Sequence, residues 1–258
     1  MYGSAQLCYV LLSNFQVDIF LNNPDQWQLD QTLAVSPQLR QILRSRIIRN
    51  DLKPSSSVSE TGLAKAYKVS RQPVREALIT LVNEGLVEIR PQRGTFVKRI
   101  DLESVLNGRF VREAVEADIV RMIAKKPDKS LVADLRKQLT EQRKCRTNSA
   151  SDFIELDEKF HHTLADAAGM HKVWDFLEAT KAQMDRVRFM TFGDFPTQTL
   201  IEQHQLIVDC IDEAAPGRAQ TAMRNHLREI LGVLPEVMES NPEYFDHAEA
   251  LGEAYTPK

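Results

Sequence analysis

The sequence is poor in cysteine and contains no long apolar run. Three cysteines occur in 258 residues, Cys8, Cys145 and Cys210, and no two of them have the Cys-x-x-Cys spacing. An odd number of widely separated cysteines argues against a disulfide framework and against a cysteine-based zinc cluster. We therefore expect a protein of the reducing cytoplasm.

The first 35 residues also lack the features of a targeting segment. Their apolar stretch Tyr9–Leu12 is followed by Ser13 and Asn14, and no basic residue precedes it. A secretory signal peptide needs a positively charged start, and a transmembrane helix needs about 20 apolar residues. We expect residues 1–35 to form a weakly structured extension, and we expect no membrane association.

Charge is distributed unevenly, although the formal net charge is only −3. Residues 38–99 contain 13 Lys or Arg and 5 Asp or Glu, whereas the rest of the chain contains 20 and 31. A basic module joined to an acidic one is typical of a protein in which one domain contacts nucleic-acid phosphate. The charge count alone is also compatible with solvated surface charge that has no partner.

The basic module has the pattern of three helices. Ser36 and Pro37 are a favourable N-cap and first helical residue, and apolar residues follow at helical spacing. A second, short helix is predicted after Ser59. The third is predicted over Ser70–Asn83, and Gly85 is placed to end it in a left-handed turn.

A β-hairpin is predicted directly after the third helix. The β-prone runs Leu86–Arg90 and Thr95–Arg99 flank the basic turn Pro91–Gly94. Three helices followed by such a hairpin form a winged helix-turn-helix, which we assign to residues 36–100. In this fold the third helix enters the major groove, and the wing approaches the minor groove or the DNA backbone.

The polar face of the third helix carries candidate DNA contacts. Arg71, Gln72 and Arg75 lie in its first turn and a half. Arginine can pair with guanine through two hydrogen bonds and glutamine with adenine, while a helix N-terminus attracts phosphate. We predict that these residues bind DNA together with Arg93 and Gly94 of the wing turn.

From Asp101 onward the sequence predicts helices only. Prolines, glycines and polar loops divide this part into six helices, so we expect an all-α antiparallel bundle over residues 101–240 and a tail over 241–258. The breaks lie at Pro127, residues 147–150, Gly169, residues 192–196, Pro216–Gly217 and Asn241–Pro242.

One carboxylate and three imidazoles of the acidic module are predicted to meet. Asp157 and His161 are four residues apart and share one face of a helix. His204 and His226 are each eleven residues from Ala215, so they lie at the same level of an antiparallel helical hairpin. Such a ligand set suits zinc or nickel, and we predict a divalent metal site. The other histidines, His162, His171 and His247, are expected to be ordinary exposed or packed residues.

The basic module resembles the DNA-binding domain of the GntR superfamily. The resemblance begins at Lys53–Pro54 and continues through Val69–Leu78, Glu84–Val87 and Arg93–Val97. It implies a winged helix-turn-helix that binds double-stranded operator DNA, and the motif places DNA contacts at Ser70, Arg71, Gln72, Arg75 and Gly94. The chain departs from the family at Ser55, where glycine is usual, and at Thr61, where some members carry an arginine.

The acidic module resembles the FCD (FadR C-terminal) ligand-binding domain. The similar segments are Leu156–His161, Gln203–His204 and Met223–Leu227. In metal-binding members of that family an Asp and three His hold the ion, and they match Asp157, His161, His204 and His226. Arg109 with Glu113 resembles the Arg-x-x-x-Glu of the first FCD helix, which implies that Arg109 contacts the carboxylate of an effector.

Together the resemblances imply a homodimeric, ligand-responsive transcription regulator of the FadR subfamily, not an enzyme. They imply a repressor of a sugar-acid or organic-acid operon, with a metal-assisted site for a small carboxylate effector. Two alternatives stay open: a regulator for which the metal itself is the signal, and a helical metal-dependent enzyme. The enzyme is disfavoured because the bundle offers one carboxylate ligand, not the paired Glu-x-x-His motifs of di-iron proteins, and only Glu158 as a nearby base.

Overall fold

The computed structural model describes residues 28–145, 150–191 and 197–246. It divides between Arg99 and Ile100 into two compact units, and each is considered by itself. None of the described helices combines the length and apolar character needed to cross a bilayer. The expectations for the first 27 residues, for His247 and for the loop at 192–196 fall outside the described residues.

The N-terminal unit consists of three helices and a β-hairpin, in the predicted order. Its hairpin is antiparallel, with Val87 opposite Val97 and Arg90 opposite Gly94. The predicted winged helix-turn-helix is thus present. The elements are α1 (Val35–Ile48), α2 (Glu60–Ala66), α3 (Arg71–Asn83), β1 (Val87–Arg90) and β2 (Gly94–Val97).

The core of this unit lies between α1 and α3. Each helix turns an apolar stripe inward, because apolar residues recur every three or four positions. The opposite face of α3, which starts at Arg71, remains exposed. The fully buried residues of the two stripes are Leu39, Leu43, Ile47, Val74, Ala77 and Leu81.

The start of α1 differs from the prediction. The helix begins at Val35, its N-cap is Ala34, and no side chain caps it. The side chain of Gln38 instead accepts a hydrogen bond from the backbone N–H of Asp30 at 2.7 Å and donates to the Ala34 carbonyl at 3.2 Å. The predicted Ser36 N-cap was therefore wrong: the helix begins two residues earlier, where Gln38 ties the preceding turn to it.

Several turns of this unit use left-handed backbone, among them the turns at Gly85 and Ser55. Gly85 has a φ of 70°, which confirms the predicted end of α3. Ser55 has a φ of 65°, a conformation that glycine adopts without the steric cost paid by other residues. Its backbone N–H donates to the Val97 carbonyl at 2.9 Å, so this turn ties the segment before α2 to the wing. The left-handed φ gives a backbone reason for the glycine that the family resemblance implies at this position.

The C-terminal unit is helical, with seven α-helices in its described residues where six were predicted. The segment expected to be one helix after Gly169 breaks at Lys181, where neither proline nor glycine marks the break. At that break a Cβ on Gly108 would lie only 3.0 Å from the Thr180 carbonyl, so the first helix of the unit passes close to it. The helices are α4 (Leu102–Lys125), α5 (Lys129–Cys145), α6 (Ala150–Ala167), α7 (His171–Thr180), α8 (Ala182–Thr191), α9 (Thr197–Asp212) and α10 (Pro216–Ser240).

The long helices α4 and α10 pack against each other and form the centre of the bundle. A large apolar cluster surrounds one half of the pair, and a smaller one surrounds the half near Phe245. Phe245 belongs to a strand that the sequence did not predict: β4 (Phe245–Asp246) pairs in parallel with β3 (Ile100–Asp101). Strands of two residues are too short to produce an alternating sequence pattern.

Candidate metal centre and DNA-binding surface

Three helices of the bundle bring the four predicted ligands together. Asp157 and His161 lie on α6, His204 on α9 and His226 on α10. All four side chains are buried, and one candidate ligand atom from each lies within 4.8 Å of all the others. The hairpin of α9 and α10 thus places His204 and His226 at the same level, as the sequence spacing predicted.

The three histidines point their Nε2 atoms at one another. His226 Nε2 lies 3.1 Å from His204 Nε2 and 3.2 Å from His161 Nε2. Bonds of about 2.0–2.1 Å from zinc to imidazole nitrogen place two tetrahedral ligands roughly 3.3 Å apart. The separation of the nitrogens therefore fits a common divalent ion.

The outer nitrogen of each imidazole faces an oxygen acceptor. An Nδ1–H that donates outward leaves the Nε2 lone pair directed at the common centre, which is the tautomer that metal binding requires. The His161 contact is close but poorly aligned for a straight hydrogen bond. The Nδ1-to-oxygen distances are 2.6 Å from His161 to Glu116, 3.0 Å from His204 to Gln142 and 2.9 Å from His226 to Gln203.

The orientation of the Gln203 amide is itself fixed by a neighbour. Its Nε2 donates to Glu229 Oε2 at 2.9 Å, so its Oε1 is the atom that faces His226. A carboxylate can only accept, which leaves the glutamine one sensible orientation. Glu229 therefore sets the tautomer of His226 through Gln203.

Burial keeps two of the imidazoles neutral. It lowers the pKa of His204 to about 3, and it lowers the pKa of His226 well below its ordinary value, with His204 and His161 adding to the effect. Neutral imidazoles with outward Nδ1–H groups have only lone pairs at the centre, where they repel one another. A cation between them would relieve this repulsion.

Asp157 offers the fourth ligand atom. Burial opposes ionisation of its carboxyl group, but the adjacent Arg188 guanidinium, with the nearby histidines, holds its pKa well below the usual range. Arg188 pairs with Oδ2, whereas Oδ1 accepts no hydrogen bond within the described part of the chain and lies 3.5 Å from His204 Nε2. A buried carboxylate oxygen without a partner, beside three imidazole lone pairs, suits a divalent ion.

A half-open cavity adjoins these ligands, with an empty volume of about 370 Å³ when the space that opens to solvent is counted. Arg112 of α4 lies in its wall and is 2% exposed. Its Nε donates to Glu116 at 2.6 Å, while its Nη2 is buried without a hydrogen-bond partner among the described residues. The N–H groups of an unpaired guanidinium nitrogen at a cavity wall can donate to an anionic ligand.

Arg109, the predicted effector contact, is placed elsewhere. It does not line this cavity, and it pairs with Glu113. Arg224 and Arg228 also donate to Glu113, so that carboxylate belongs to a separate arginine cluster. The sequence holds a second Arg-x-x-x-Glu three residues later, Arg112 with Glu116, and this pair is the one beside the ligands.

Several residues of the site were not identified from the sequence. Arg112 could have been found from its repeated spacing with Glu116, but nothing in the pattern of Gln142, Gln203 or Arg188 distinguishes them from surface residues. His162 and His171 lie apart from the site, with exposed side chains that both contact Asp166.

The predicted DNA contacts all lie on the surface of the N-terminal unit. Ser70 is the N-cap residue of α3, and Arg71, Gln72 and Arg75 follow in its exposed first turns. Arg93 and Gly94 are exposed at the turn between β1 and β2, where Gly94 has a φ of 107°.

Internal contacts of the recognition residues are few. Arg71 Nε pairs with Glu60 at 2.8 Å, yet its side chain is 66% exposed, and Gln72 donates to Glu76 at 2.9 Å. Arg75 forms no ion pair with the described residues. Thr61, in the first turn of α2, has its hydroxyl 3.0 Å from that of Ser59. The guanidinium groups of α3 are thus free to leave the protein surface for a ligand.

Comparison with known families covers most of the described chain. Residues 36–97 match the bacterial regulatory proteins of the gntR family, and residues 109–229 match the FCD domain. Two solved structures share the fold. They are E. coli McbR/YncC (TM-score 0.67, 16% identity, covering 79% of this chain and 98% of that one) and a GntR transcriptional regulator of Rhodococcus sp. RHA1 (TM-score 0.64, 23% identity, 76% and 97%).

Curated relatives are more similar in sequence. The chain is 36% identical over 220 residues to the HTH-type transcriptional repressor RspR of Escherichia coli K12, an alignment that covers 84% of this chain and 96% of that protein. It is 35% identical over 204 residues to an HTH-type transcriptional regulator in an unstable DNA locus of Streptomyces ambofaciens, covering 79% and 86%. The chain therefore belongs to the GntR family of bacterial regulatory proteins, and it is a DNA-binding transcription regulator with an FCD domain rather than an enzyme.

Proposed function

We propose that this regulator is a homodimeric repressor of an operon for sugar-acid or other organic-acid metabolism. Its operator affinity is controlled by a carboxylate effector that binds beside a divalent metal ion in the FCD domain. The observation that carries the proposal is the convergence of three histidine Nε2 atoms and Asp157 Oδ1 next to the unpaired Nη2 of Arg112.

Asp157, His161, His204 and His226 would hold the ion. Imidazole nitrogens suit zinc or nickel, and the single carboxylate offsets part of the ionic charge. A bound ion with four protein ligands supplies a Lewis-acidic position that a carboxylate oxygen can occupy if the coordination number expands.

Arg112 takes the role of effector contact that the sequence pattern gave to Arg109. A charged donor buried without a partner costs free energy, and a carboxylate that pairs with it recovers that cost. Glu116 holds the guanidinium through Nε, and Nη2 has no hydrogen-bond partner among the described residues. The same Glu116 contacts His161, so effector and metal positions are coupled through one carboxylate.

Operator recognition is assigned to the surface formed by α3 and the wing. Arg71, Gln72 and Arg75 reach base edges in the major groove, Ser70 supports the phosphate contact at the helix N-terminus, and Arg93 with Gly94 follows the backbone. Two copies would read half-sites about one helical turn apart. An effector that binds one dimer arrangement better than another shifts the population and thus the operator affinity.

The proposal is tested first by native mass spectrometry and elemental analysis of the full chain, purified without chelators from medium containing zinc and nickel. We expect a dimer with one divalent ion per chain. Dialysis against a chelator followed by zinc titration then gives the affinity. A monomer, or a chain that binds neither zinc nor nickel, contradicts the proposal.

The second step measures binding to a duplex selected by the full chain from a random pool. We expect a carboxylate ligand to change the affinity of the zinc-loaded protein, with a smaller effect on an Arg112→Lys variant. A change driven by zinc alone, with no response to any acid tested, would instead support the metal-responsive regulator. The metal-responsive regulator would use the same four metal ligands as the proposed one, but it would need no role for Arg112.

A further inference from the structure

The cavity beside the candidate metal ligands has a mostly apolar wall beyond its charged end. Four of the described residues that line it are aliphatic or Met, and each of them is at most 8% exposed. They come from three helices, so the apolar wall is built by more than one element of the bundle. These residues are Met184 of α8, Leu200 of α9, and Leu227 and Ile230 of α10.

The polar residues of the wall are almost all engaged already. Asp157, His161 and His226 face the common centre of the metal ligands, and Arg188 pairs with Asp157, Glu158 and Asp185. Among the described lining residues, this leaves two groups for a ligand in the cavity. One is the cationic Arg112, and the other is the anionic Glu229.

Glu229 lies one helical turn beyond His226 on α10, next to Ile230. One of its oxygens accepts from Gln203, and the side chain also lines the cavity. A ligand whose carboxylate sits at the level of His226 and Arg112 therefore extends its body past Glu229. A second carboxylate on that body would meet a like charge in a partly desolvated space, which is strongly unfavourable.

Resting on the proposed function, we propose that the effector is a monocarboxylate with an apolar body and that Glu229 excludes acids with a second carboxylate. The apolar wall excludes polyhydroxy acids by a different effect. Their hydroxyl groups would lose water and find no partner except Glu229 among the described lining residues, and buried polar groups without partners are costly. Of the two classes left open by the family resemblance, the cavity thus favours the less polar organic acid over the sugar acid.

Three six-carbon acids test this inference on the full, zinc-loaded chain: hexanoate, adipate and gluconate. They share one carboxylate and the chain length, and differ by a second carboxylate or by five hydroxyl groups. Isothermal titration calorimetry is expected to show hexanoate binding at least tenfold more tightly than adipate. The affinity of gluconate is expected to be at least about 100-fold lower than that of hexanoate.

The Glu229→Gln variant separates the two effects. It should narrow the gap in affinity between adipate and hexanoate, because the like-charge repulsion is removed, and leave gluconate weak, while the neutral amide can still accept from Gln203. Glu236→Gln, an exposed glutamate on the same helix, is the matched control and should keep the original preference. Zinc affinity is measured in parallel, so that an altered metal site is recognised.

The outcomes are distinguishable. Adipate or gluconate binding as tightly as hexanoate to the unmodified protein overturns this inference and leaves the carboxylate effector in place. An unchanged hexanoate-to-adipate ratio in Glu229→Gln overturns the role of Glu229. Failure of all three acids to bind the zinc-loaded protein contradicts the proposed carboxylate site itself.

Discussion

Arg188 and Asp157 form a buried ion pair through Oδ2, and this pair leaves Oδ1 facing the three histidines. The guanidinium does two things for the carboxylate. It keeps the carboxyl group ionised despite burial, and it fixes which oxygen is turned toward the centre. Arg188 is thus a positioning residue for a ligand atom, and it also pairs with Glu158 at 2.6 Å.

Replacement of His204 by alanine is expected to lower the zinc stoichiometry and the thermal stability of the zinc-loaded protein. A ligand present at 100 to 1,000 times its dissociation constant stabilises the folded state by about 3–4 kcal/mol, and this contribution would be largely lost. Elemental analysis and thermal unfolding with and without chelator measure both effects. His162→Ala, which removes an exposed histidine, is the control and should keep the metal; full stoichiometry in His204→Ala would remove that residue from the site.

Replacement of Gln142 by alanine is expected to weaken zinc binding about 10- to 100-fold without abolishing it. Gln142 holds Nδ1 of His204 at 3.0 Å, so its loss frees the imidazole to rotate and to change tautomer. Competition with a chelator of known affinity gives the dissociation constant. Gln205→Ala, on the same helix as His204, should leave that constant unchanged, and an equal loss in both variants would speak against an orienting role.

Replacement of Arg75 by alanine is expected to cost about 1–3 kcal/mol of operator affinity and to relax preference at one base pair. The reason is that Arg75 is exposed on the recognition face and forms no ion pair with the described residues, so the fold should remain intact. Fluorescence anisotropy on the selected duplex and on single-base variants measures this. Arg121→Ala, in the FCD domain, serves as control, and unchanged affinity in Arg75→Ala would mean that α3 does not read DNA.

Replacement of Arg93 by alanine is expected to act differently. An arginine at the wing that contacts phosphate contributes to all sequences equally, so affinity should fall by a similar factor on operator and on unrelated DNA. The slope of log affinity against log salt should decrease by about one. A loss confined to the operator would instead indicate that Arg93 reads a base.

The stability of the metal-free protein is expected to fall as the pH is lowered from 6.5. Burial depresses the pKa of His204 to about 3 and that of His226 in the same direction, while an unfolded histidine titrates near about 6.5. Below that pH the unfolded chain takes up protons that the folded one does not. The free energy of unfolding should therefore drop by about 1.4 kcal/mol per pH unit for each of the two histidines.

Urea unfolding in chelator between pH 7.5 and 5 measures this slope, in a range above the ordinary titration of carboxylates. His204→Gln should show about half of it. A free energy that stays constant over the range would mean that the imidazoles are accessible to protons in the folded state.

The sequence was sufficient for the arrangement of the ligand set and for the winged helix. His204 and His226 could be placed at the same level of the α9–α10 hairpin from the sequence. Helical spacing and distance from the break between the helices can both be counted along the chain. The end of α3 at Gly85 could also be predicted, because the left-handed backbone that ends many helices strongly favours glycine. Fold class and family thus follow from local patterns and motifs.

The predictions for the start of α1 and for the single helix after Gly169 were wrong, because these features depend on tertiary contacts. Gln38 displaces the start of α1 by bonding to a turn eight residues earlier, and the break at Lys181 has no proline or glycine to announce it. Arg109 and Arg112 have the same spacing to a glutamate, and only the packing of α4 decides which one faces the cavity. Sequence periodicity predicts that this segment is helical. It does not predict the rotation of α4 about its own axis, which determines whether Arg109 or Arg112 faces the cavity.

The three histidines come from helices that are synthesised far apart in time. His226 follows His161 by 65 residues, and at about 5–20 residues per second a ribosome needs roughly 3–13 s to make that interval. During that time His161 and Asp157 form only part of a chelating set. Any ion that the three imidazoles share is therefore acquired late, after α10 has left the ribosome, and a truncated product ending before that helix would carry an intact recognition helix with no means of loading its sensor.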